Sequence, residues 1–550
     1  MKNNNLKIMP IIVSGVLMSL VLPLALANPF NEIKVLAEET PVTSQVNLRI
    51  MNMEDYICVQ SIEDGFEAPD LVEQFEEWVE ENTRFKNVSV SYNTTDTNET
   101  LLTQLHTGKS DYDLICPSEY MIQKMIASDL LEPLDHPNRD ELLSNYEQYA
   151  SPTIRGRLDN IDAPNSKGEI EKVGDYAVGY MWGTLGLLFN TDYYDDQLQL
   201  IKDMESWDVL YNVDYNGTIS IKDSMRDTYA AVLMYTYKEE LNGYRQQYLN
   251  NEITAEEYNL KIQTVFDRHD DETLKLVQQS LDQLKGNIFG LEVDSGKLDI
   301  VQGKIGINLA WSGDAVYSLE LGYDEDVELA YAIPYEGANI WFDAWVMPRG
   351  NRTAEQEELA YLFLNFISDP VNAVQNMGYT GYTPFIGGSD ILDLTREWYD
   401  IRTDEETGEF DASAEIDPEW EAVDLSYFFE GTLDETYSAA DMVFYSDSYY
   451  FEAEDEETGE IYSNTAVGTQ FFTQFPDEDT ITRCAVMRDY GSANDKVIAL
   501  WEKFKSSALP TWAIILLAVE VAVILFGISY YFISKKANLR RRNKRKEENK

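Results

Sequence analysis

Few residues in this chain have the type and spacing needed for covalent or metal chemistry. The three histidines, His106, His136 and His269, stand apart from one another, so neither a histidine-centred triad nor a histidine metal cluster is expected. The three cysteines, Cys58, Cys116 and Cys484, show no CxxC spacing, which gives no zinc site and no disulfide framework. Cys58 and Cys116 lie in apolar surroundings and read as buried thiols. A short acidic repeat, Asp404-Glu405-Glu406-Thr407-Gly408-Glu409 and Asp455-Glu456-Glu457-Thr458-Gly459-Glu460, lacks the DxDxDG order of a calcium loop and reads as two β-turns around Thr-Gly. With no nucleophile–base constellation, neither catalysis nor a cofactor is expected. What remains is carboxylates and aromatic rings. Asp and Glu total 98 against 42 Lys and Arg, the net charge is −56, and tyrosines number 35. Such a field repels phosphate backbones and attracts cations. Nucleic acid is disfavoured as a partner, and a small cation is favoured. Acidity of this size also serves solubility, so the placement of the carboxylates has to decide.

The elements that must position those groups follow an α/β rhythm. At 550 residues with 44% hydrophobic content, the chain is long enough for more than one domain. Val46–Met51 reads as a first strand. Asp70–Asn82 carries Leu71, Phe75 and Trp78 at helical spacing. Val88–Tyr92 and Asp113–Cys116 read as strands, and Glu99–His106 and Ile122–Leu131 as helices. Alternation of this kind implies a largely parallel sheet, with ligands at the carboxyl ends of its strands. The loops after Met51 and Cys116 are therefore the first candidates. Tyr180–Asn190 reads as an apolar strand crossing into a second lobe, followed by strands near Thr218–Ile221, Ile305–Ala310 and Leu329–Ile333. Tyr237–Gly286 reads as a charged helical surface excursion. Trp345–Met347 would return to the first lobe, and Glu355–Ile367 reads as a helix. A chain that crosses between lobes more than once makes a cleft with a hinge. Residues 395–485, acidic and aromatic, read as solvated hairpins.

Two further segments speak to the membrane. Lys2 and Lys7 precede an apolar run from Ile8 to Ala27, the pattern of a secretory signal cleaved after Ala27 or Ala37, or of an uncleaved anchor. Leu509–Ile533 is long enough to cross a bilayer. Trp512 and the pair Tyr530-Tyr531 stand near its ends, and nine Lys and Arg against two Glu follow it. The positive-inside rule then places residues 534–550 in the cytoplasm and the bulk of the chain outside the cell. Glu520 interrupts the apolar run; a carboxyl there suits contact with a protein partner, here a permease helix.

From about Val46 to Lys505 the chain resembles the spermidine/putrescine-binding proteins of bacterial ABC importers. The matching stretches are Leu48-Arg49-Ile50-Met51-Asn52-Met53-Glu54-Asp55-Tyr56-Ile57, Asn98-Glu99-Thr100, Tyr112-Asp113-Leu114-Ile115-Cys116-Pro117-Ser118-Glu119-Tyr120, Ser206-Trp207-Asp208-Val209-Leu210-Tyr211 with Tyr215-Asn216-Gly217, Ala310-Trp311-Ser312-Gly313, Ile340-Trp341-Phe342-Asp343, and Gly378-Tyr379 with Thr383-Pro384. Each is weak alone; their order and spacing carry the resemblance. It implies a two-lobed type II periplasmic-binding-protein fold. Lobe 1 would comprise 46–180 and 343–390, and lobe 2 would comprise 181–342 and 391–508, with 395–485 as an insertion. It also implies polyamine capture without catalysis, and delivery to permease subunits and their ATPase. The alternatives are a membrane-anchored sensor, disfavoured by the short cytoplasmic tail, and a binding protein for another small solute.

A polyamine needs carboxylates at its ammonium groups and aromatic walls along its methylenes. The resemblance implies that Asp343 is the principal carboxylate and Trp341 the wall beside it, two residues apart on an extended segment and so on one side. Asp227 matches one acid of a second pair, whose other member is replaced by Ser224. Trp311, Tyr56 and Tyr120 match wall residues, Ser118 a small polar contact, and Tyr379 a further tyrosine, with Tyr382 a competing register. Met53 replaces a wall tryptophan and Met487 a glutamine. Glu54 and Glu119 stand where the family has small hydroxyl residues and would add carboxylates.

Overall fold

The computed structural model describes residues 40–59, 70–108, 111–404, 407–455 and 458–506. In chain order, strand β1 (Val46–Met53) leads to helix α1 (Leu71–Asn82), which starts where the Asp70 carboxylate accepts from the amides of Val72 and Glu73. Strand β2 (Val88–Thr95) and helix α2 (Asn98–His106) follow, then β3 (Leu114–Ile115) and α3 (Glu119–Ala127). Helix α3 begins three residues before the sequence reading placed it, because Pro117 ends the preceding strand and Ser118 takes the N-cap position. Strand β4 (Ala177–Asn190) is fourteen residues long and buried along its whole length, which at about 3.3 Å per residue spans roughly 45 Å. Beyond it lie β5 (Ile219–Lys222), α4 (Met225–Thr236), β6 (Ile288–Glu292), β7 (Ile307–Trp311) and α5 (Ser312–Asp324). Strands β8 (Leu329–Ala332) and β9 (Ala338–Pro348) precede helices α6 (Ala354–Ile367) and α7 (Pro370–Thr380).

These strands belong to one sheet in two regions. In the first, β1 runs parallel to β2 from Val46↔Val88 to Met53↔Thr95, and parallel to β3 at Ile50↔Leu114. In the second, β5 runs parallel to both β6 and β7. The long strands β4 and β9 pair antiparallel from Ile340↔Thr184 to Val346↔Ala177, with a register shift between Asp343 and Ala344. One end of β9 reaches β3 at Val346↔Ile115, while the far half of β4 pairs with β7 and β8. The two parallel regions thus share a two-strand connection, and the irregularity in that connection falls at Asp343.

Two expectations about the rest change. The excursion after Tyr237 folds as helices Lys238–Leu249, Ala255–Phe266 and Asp271–Leu284. Its inner face is not a bare surface, since Tyr258, Ile262, Val265, Val277, Leu281 and Leu284 are buried. Residues 395–485 do contain hairpins. Glu421–Asp424 pairs with Val443–Ser446, and the Thr-Gly repeats turn on Gly408 and Gly459 at φ 69° and 70°. Yet strand Ile461–Gly468 joins the main sheet beside β8, and Phe428, Phe429, Tyr449, Phe471, Phe472 and Phe475 bury their rings. Most acidic residues of this stretch lie at its surface around an aromatic interior, although Asp400 is buried against Arg402, so its charge conceals a core. All three cysteines are buried and outside any disulfide among the described residues. No helix among the described residues is long and apolar enough to cross a membrane; the N-terminal signal, Leu509–Ile533, Glu520 and the basic tail lie outside the described residues.

Candidate ligand-binding site

Expected site residues from the loops after β1 and β3 and from within β9 meet around Asp343. The phenol of Tyr56, in the loop after β1, donates to Asp343 Oδ2 at 2.7 Å. Its ring stands edge-on to Tyr180 and Tyr382, at centroid distances of 5.4 and 5.2 Å. That loop is clamped from two sides. Tyr180 donates to the Tyr56 carbonyl at 2.6 Å, and the α7 residue Asn376 donates to the Tyr180 hydroxyl and accepts from the Cys58 amide. Ser118 forms an antiparallel bridge with Asp343. Asn98, at the start of α2, donates to both the Ser118 and Tyr120 hydroxyls, at 2.9 and 3.1 Å. Trp341 shares this neighbourhood, with its ring 5.6 Å from that of Tyr382 and its Nε1 buried without a partner. Two glycines leave the room. A Cβ on Gly183 would lie 2.5 Å from the Trp341 ring, and one on Gly313 would lie 2.4 Å from the Tyr382 ring. Any larger residue at either position would displace a wall.

Asp343 is a carboxylate without a counter-ion. Its Oδ1 is buried with no hydrogen-bond partner, and it enters no ion pair among the described residues. Burial pushes the group up to about 6; the Ser118 and Tyr56 hydroxyls pull it down, and Asp227 pushes it further up. Asp227 itself is buried in the first turn of α4. Burial raises it, against hydrogen bonds from Ser224 and the Trp311 indole and the pull of Lys222. Asp343 and Asp227 therefore feel each other, and neither enters an ion pair among the described residues.

Trp311 and Tyr120 arrive as expected, but each already carries a cation on one face. The buried Lys222, last residue of β5, places its ammonium 4.2 Å from the centre of the Trp311 ring. That ammonium is 2.9 Å from Glu292 and 3.0 Å from Asp314, and donates to the Val293 carbonyl. The Arg226 guanidinium lies 4.0 Å from the Tyr120 ring and 4.4 Å from Tyr490, with Asp489 3.8 Å away. Asp314 also accepts from the Tyr382 hydroxyl at 2.8 Å. Burial raises Asp314, but Lys222 and then Lys297 outweigh it and hold the carboxyl below its usual range.

Three expected residues stand differently. Glu54 is exposed in the turn after β1. Glu119 is fully buried; its Oε2 accepts from the Phe342 amide at 3.0 Å, which fixes the backbone between Trp341 and Asp343. Burial pushes Glu119 up to about 8, so it is protonated at neutral pH and adds no negative charge for a ligand. Tyr379 lies on α7 beside Tyr92, and it is Tyr382 that joins the cluster with Tyr56 and Trp341. The sequence reading passed over Lys222, Asp314, Arg226 and Asn98 as site residues. Asp314 directly follows the Trp311-Ser312-Gly313 stretch and was within reach. Lys222 ends an apolar strand, where nothing in the sequence separates a snorkelling lysine from a buried one.

Comparison with known proteins fits this geometry. The sequence model for bacterial extracellular solute-binding proteins matches residues 70–396. The spermidine/putrescine-binding periplasmic protein of Escherichia coli (strain K12) is 24% identical over 326 residues, covering 59% of this chain and 76% of that protein. The putrescine-binding periplasmic protein PotF of the same organism is 25% identical over 338 residues, covering 60% and 75%. Among solved structures, a putative spermidine/putrescine ABC transporter from Listeria monocytogenes superposes with a TM-score of 0.52 at 21% identity, covering 84% of this chain and 98% of that one. The spermidine/putrescine substrate-binding protein PotD of Streptococcus pneumoniae gives 0.50 at 23%, with the same coverage. These likenesses establish a mixed α/β periplasmic-binding-protein fold. The chain belongs to the family of bacterial extracellular solute-binding proteins, the non-enzymatic solute-capturing components of ABC importers.

Proposed function

We propose that this chain captures a small polyamine outside the cell and delivers it to the permease and ATPase of an ABC importer. The observation that carries the reading is Asp343, whose buried, unpartnered Oδ1 lies in a cluster with the rings of Tyr56, Tyr382 and Trp341. A buried carboxylate with no counter-ion is costly, and an ammonium group satisfies it. The rings suit the methylenes next to that ammonium, and each ring face adds about 0.5–2 kcal/mol of cation–π attraction. Asp227, across the same space, would take a second ammonium. In this reading β4 and β9 form the hinge between lobes 46–180 with 343–390 and 181–342 with 391–508, and closing the hinge seals the ligand in. Residues 509–533 tether the protein to the membrane, with 534–550 in the cytoplasm, which keeps the binding region beside its permease.

The test is a thermal-shift and calorimetric screen of the full-length protein in detergent. A ligand that binds only the folded state raises the melting temperature. Putrescine or spermidine should do so in the micromolar range or below, and neutral sugars of similar size should not. A sugar that stabilises the protein while both amines leave it unchanged would replace the polyamine reading with that of another solute.

A further inference from the structure

The Lys222 ammonium already occupies the kind of cage a ligand ammonium would need. Two carboxylates, Glu292 and Asp314, lie 2.9 and 3.0 Å away, the Val293 carbonyl accepts at 3.0 Å, and the Trp311 ring centre is 4.2 Å away. The side chain is 1% exposed. This cage adjoins the proposed ligand space on two sides. Asp314 is joined to it through the Tyr382 hydroxyl, whose ring stands against Tyr56 and Trp341. Trp311 adjoins it through Asp227, whose carboxyl the Trp311 indole holds down. The charge balance around the cleft follows. Asp314 and Glu292 are answered by Lys222, with Lys297 4.0 Å from Asp314, and Asp489 is answered by Arg226. Asp343 and Asp227 enter no ion pair among the described residues; the neighbouring Glu119 is pushed by burial to about 8 and Glu99 is exposed to solvent.

We infer that Lys222 is a specificity-determining residue: a tethered ammonium that fills the distal end of the cleft and limits the ligand to a short diamine. The inference rests on the polyamine reading above and narrows it. Two unanswered carboxylates match two ammonium groups. A third ammonium, extended past Asp227 along Trp311, would meet the charge of Lys222, and like charges brought together out of water repel strongly. A monoamine would leave one of the two carboxylates unanswered.

Calorimetry on the full-length protein with butylamine, putrescine and spermidine tests this, in the wild type and in Lys222→Met. The wild type should bind putrescine at least tenfold more tightly than either of the others. In Lys222→Met the vacated cage should accept the third ammonium, so that the spermidine-to-putrescine affinity ratio rises at least tenfold. Spermidine binding as tightly as putrescine to the wild type overturns the inference and leaves the polyamine reading standing, as does an unchanged ratio in the variant. If none of the three amines binds the wild type, the polyamine reading itself falls. Should Lys222→Met fail to fold, the wild-type series alone decides, because equal or tighter binding of spermidine there suffices to reject the role of Lys222.

Discussion

Asp343 and Asp314 are the same kind of side chain in the same kind of place, and they behave oppositely. Asp314 is buried and Asp343 is half-buried with its Oδ1 enclosed, and both accept a hydrogen bond from a tyrosine hydroxyl, Tyr56 at 2.7 Å and Tyr382 at 2.8 Å. Asp343 is pushed up to about 6 by burial, whereas Asp314 is held below its usual range although burial pushes it up as well. The difference is a cation. Lys222 lies 3.0 Å from Asp314, and no side-chain cation pairs with Asp343 among the described residues. Two hydroxyls, of Ser118 and Tyr56, do not offset the desolvation of the Asp343 carboxylate, and an ammonium does so for Asp314. Asp314 is answered by a lysine of the same chain, and Asp343 is the carboxylate that the proposed ligand ammonium would answer.

Removing the cation should be the most damaging way to break this contrast. Lys222→Met leaves Asp314 and Glu292 buried and unanswered, and breaking a buried pair from one side costs about 3–5 kcal/mol. Urea denaturation at neutral pH should show a loss of that order. A loss below about 1 kcal/mol would mean that the Lys222 cage is wet and that its carboxylates are solvated.

Removing the charge at the other end should act in the opposite sense on stability. Asp343→Asn should weaken polyamine affinity at least about tenfold, because the buried ammonium loses its charged partner. The ligand-free protein should lose nothing and gain some stability at neutral pH. The sign follows from linkage: a carboxyl whose folded pKa lies above its unfolded value holds its proton longer in the folded state, so stability falls as pH rises from about 4 to about 6. The wild type should show that decline in denaturation midpoints across pH 4–6, and Asp343→Asn should show less of it. Unchanged affinity in the variant would remove Asp343 from the site.

How much of this contrast was legible in the sequence differs by residue. The α/β order and the first strands followed from period-two and helical apolar spacing, because burial imposes those periods directly on the sequence. Tyr56, Ser118, Trp341 and Asp343 could be named because their stretches resemble those of the polyamine-binding family; Tyr56 and Ser118 fall in loops after strands, and Trp341 and Asp343 inside β9. Glu119 was misassigned, since a carboxyl that serves a ligand and one that holds the Phe342 amide at 3.0 Å look alike until its burial is known. Tyr379 and Tyr382 are one helical turn apart, and the chain leaves its helix at the left-handed Gly381, so spacing alone gave no reason to prefer the second. Lys222 was invisible for a deeper reason. Its partners Glu292 and Asp314 lie 70 and 92 positions along the chain, and only the parallel pairing of β5 with β6 and β7 brings those elements together. The aromatic interior of 395–485 was masked by its own acidic surface.

The smallest expected effect separates the two carboxylates most cleanly. Tyr56→Phe and Tyr382→Phe each delete one hydroxyl that donates to one aspartate. At Asp314 the ammonium of Lys222 remains, so Tyr382→Phe should leave the carboxyl ionised and the pH profile of ligand binding in place. At Asp343 the Tyr56 hydroxyl is one of only two groups that favour the charged form, the other being Ser118. Binding of an ammonium requires that charged form, so affinity should fall as pH drops through about 6, and Tyr56→Phe should move that midpoint upward. Hydrogen bonds to charged groups contribute about 1.5–3 kcal/mol, and one pH unit corresponds to about 1.4 kcal/mol, so the displacement should be about one to two units. Calorimetric titrations with putrescine between pH 5 and pH 8 would measure it. Equal displacement in both variants would mean that the tyrosines act on the ligand through their rings and that the two carboxylates do not differ in the way their surroundings indicate.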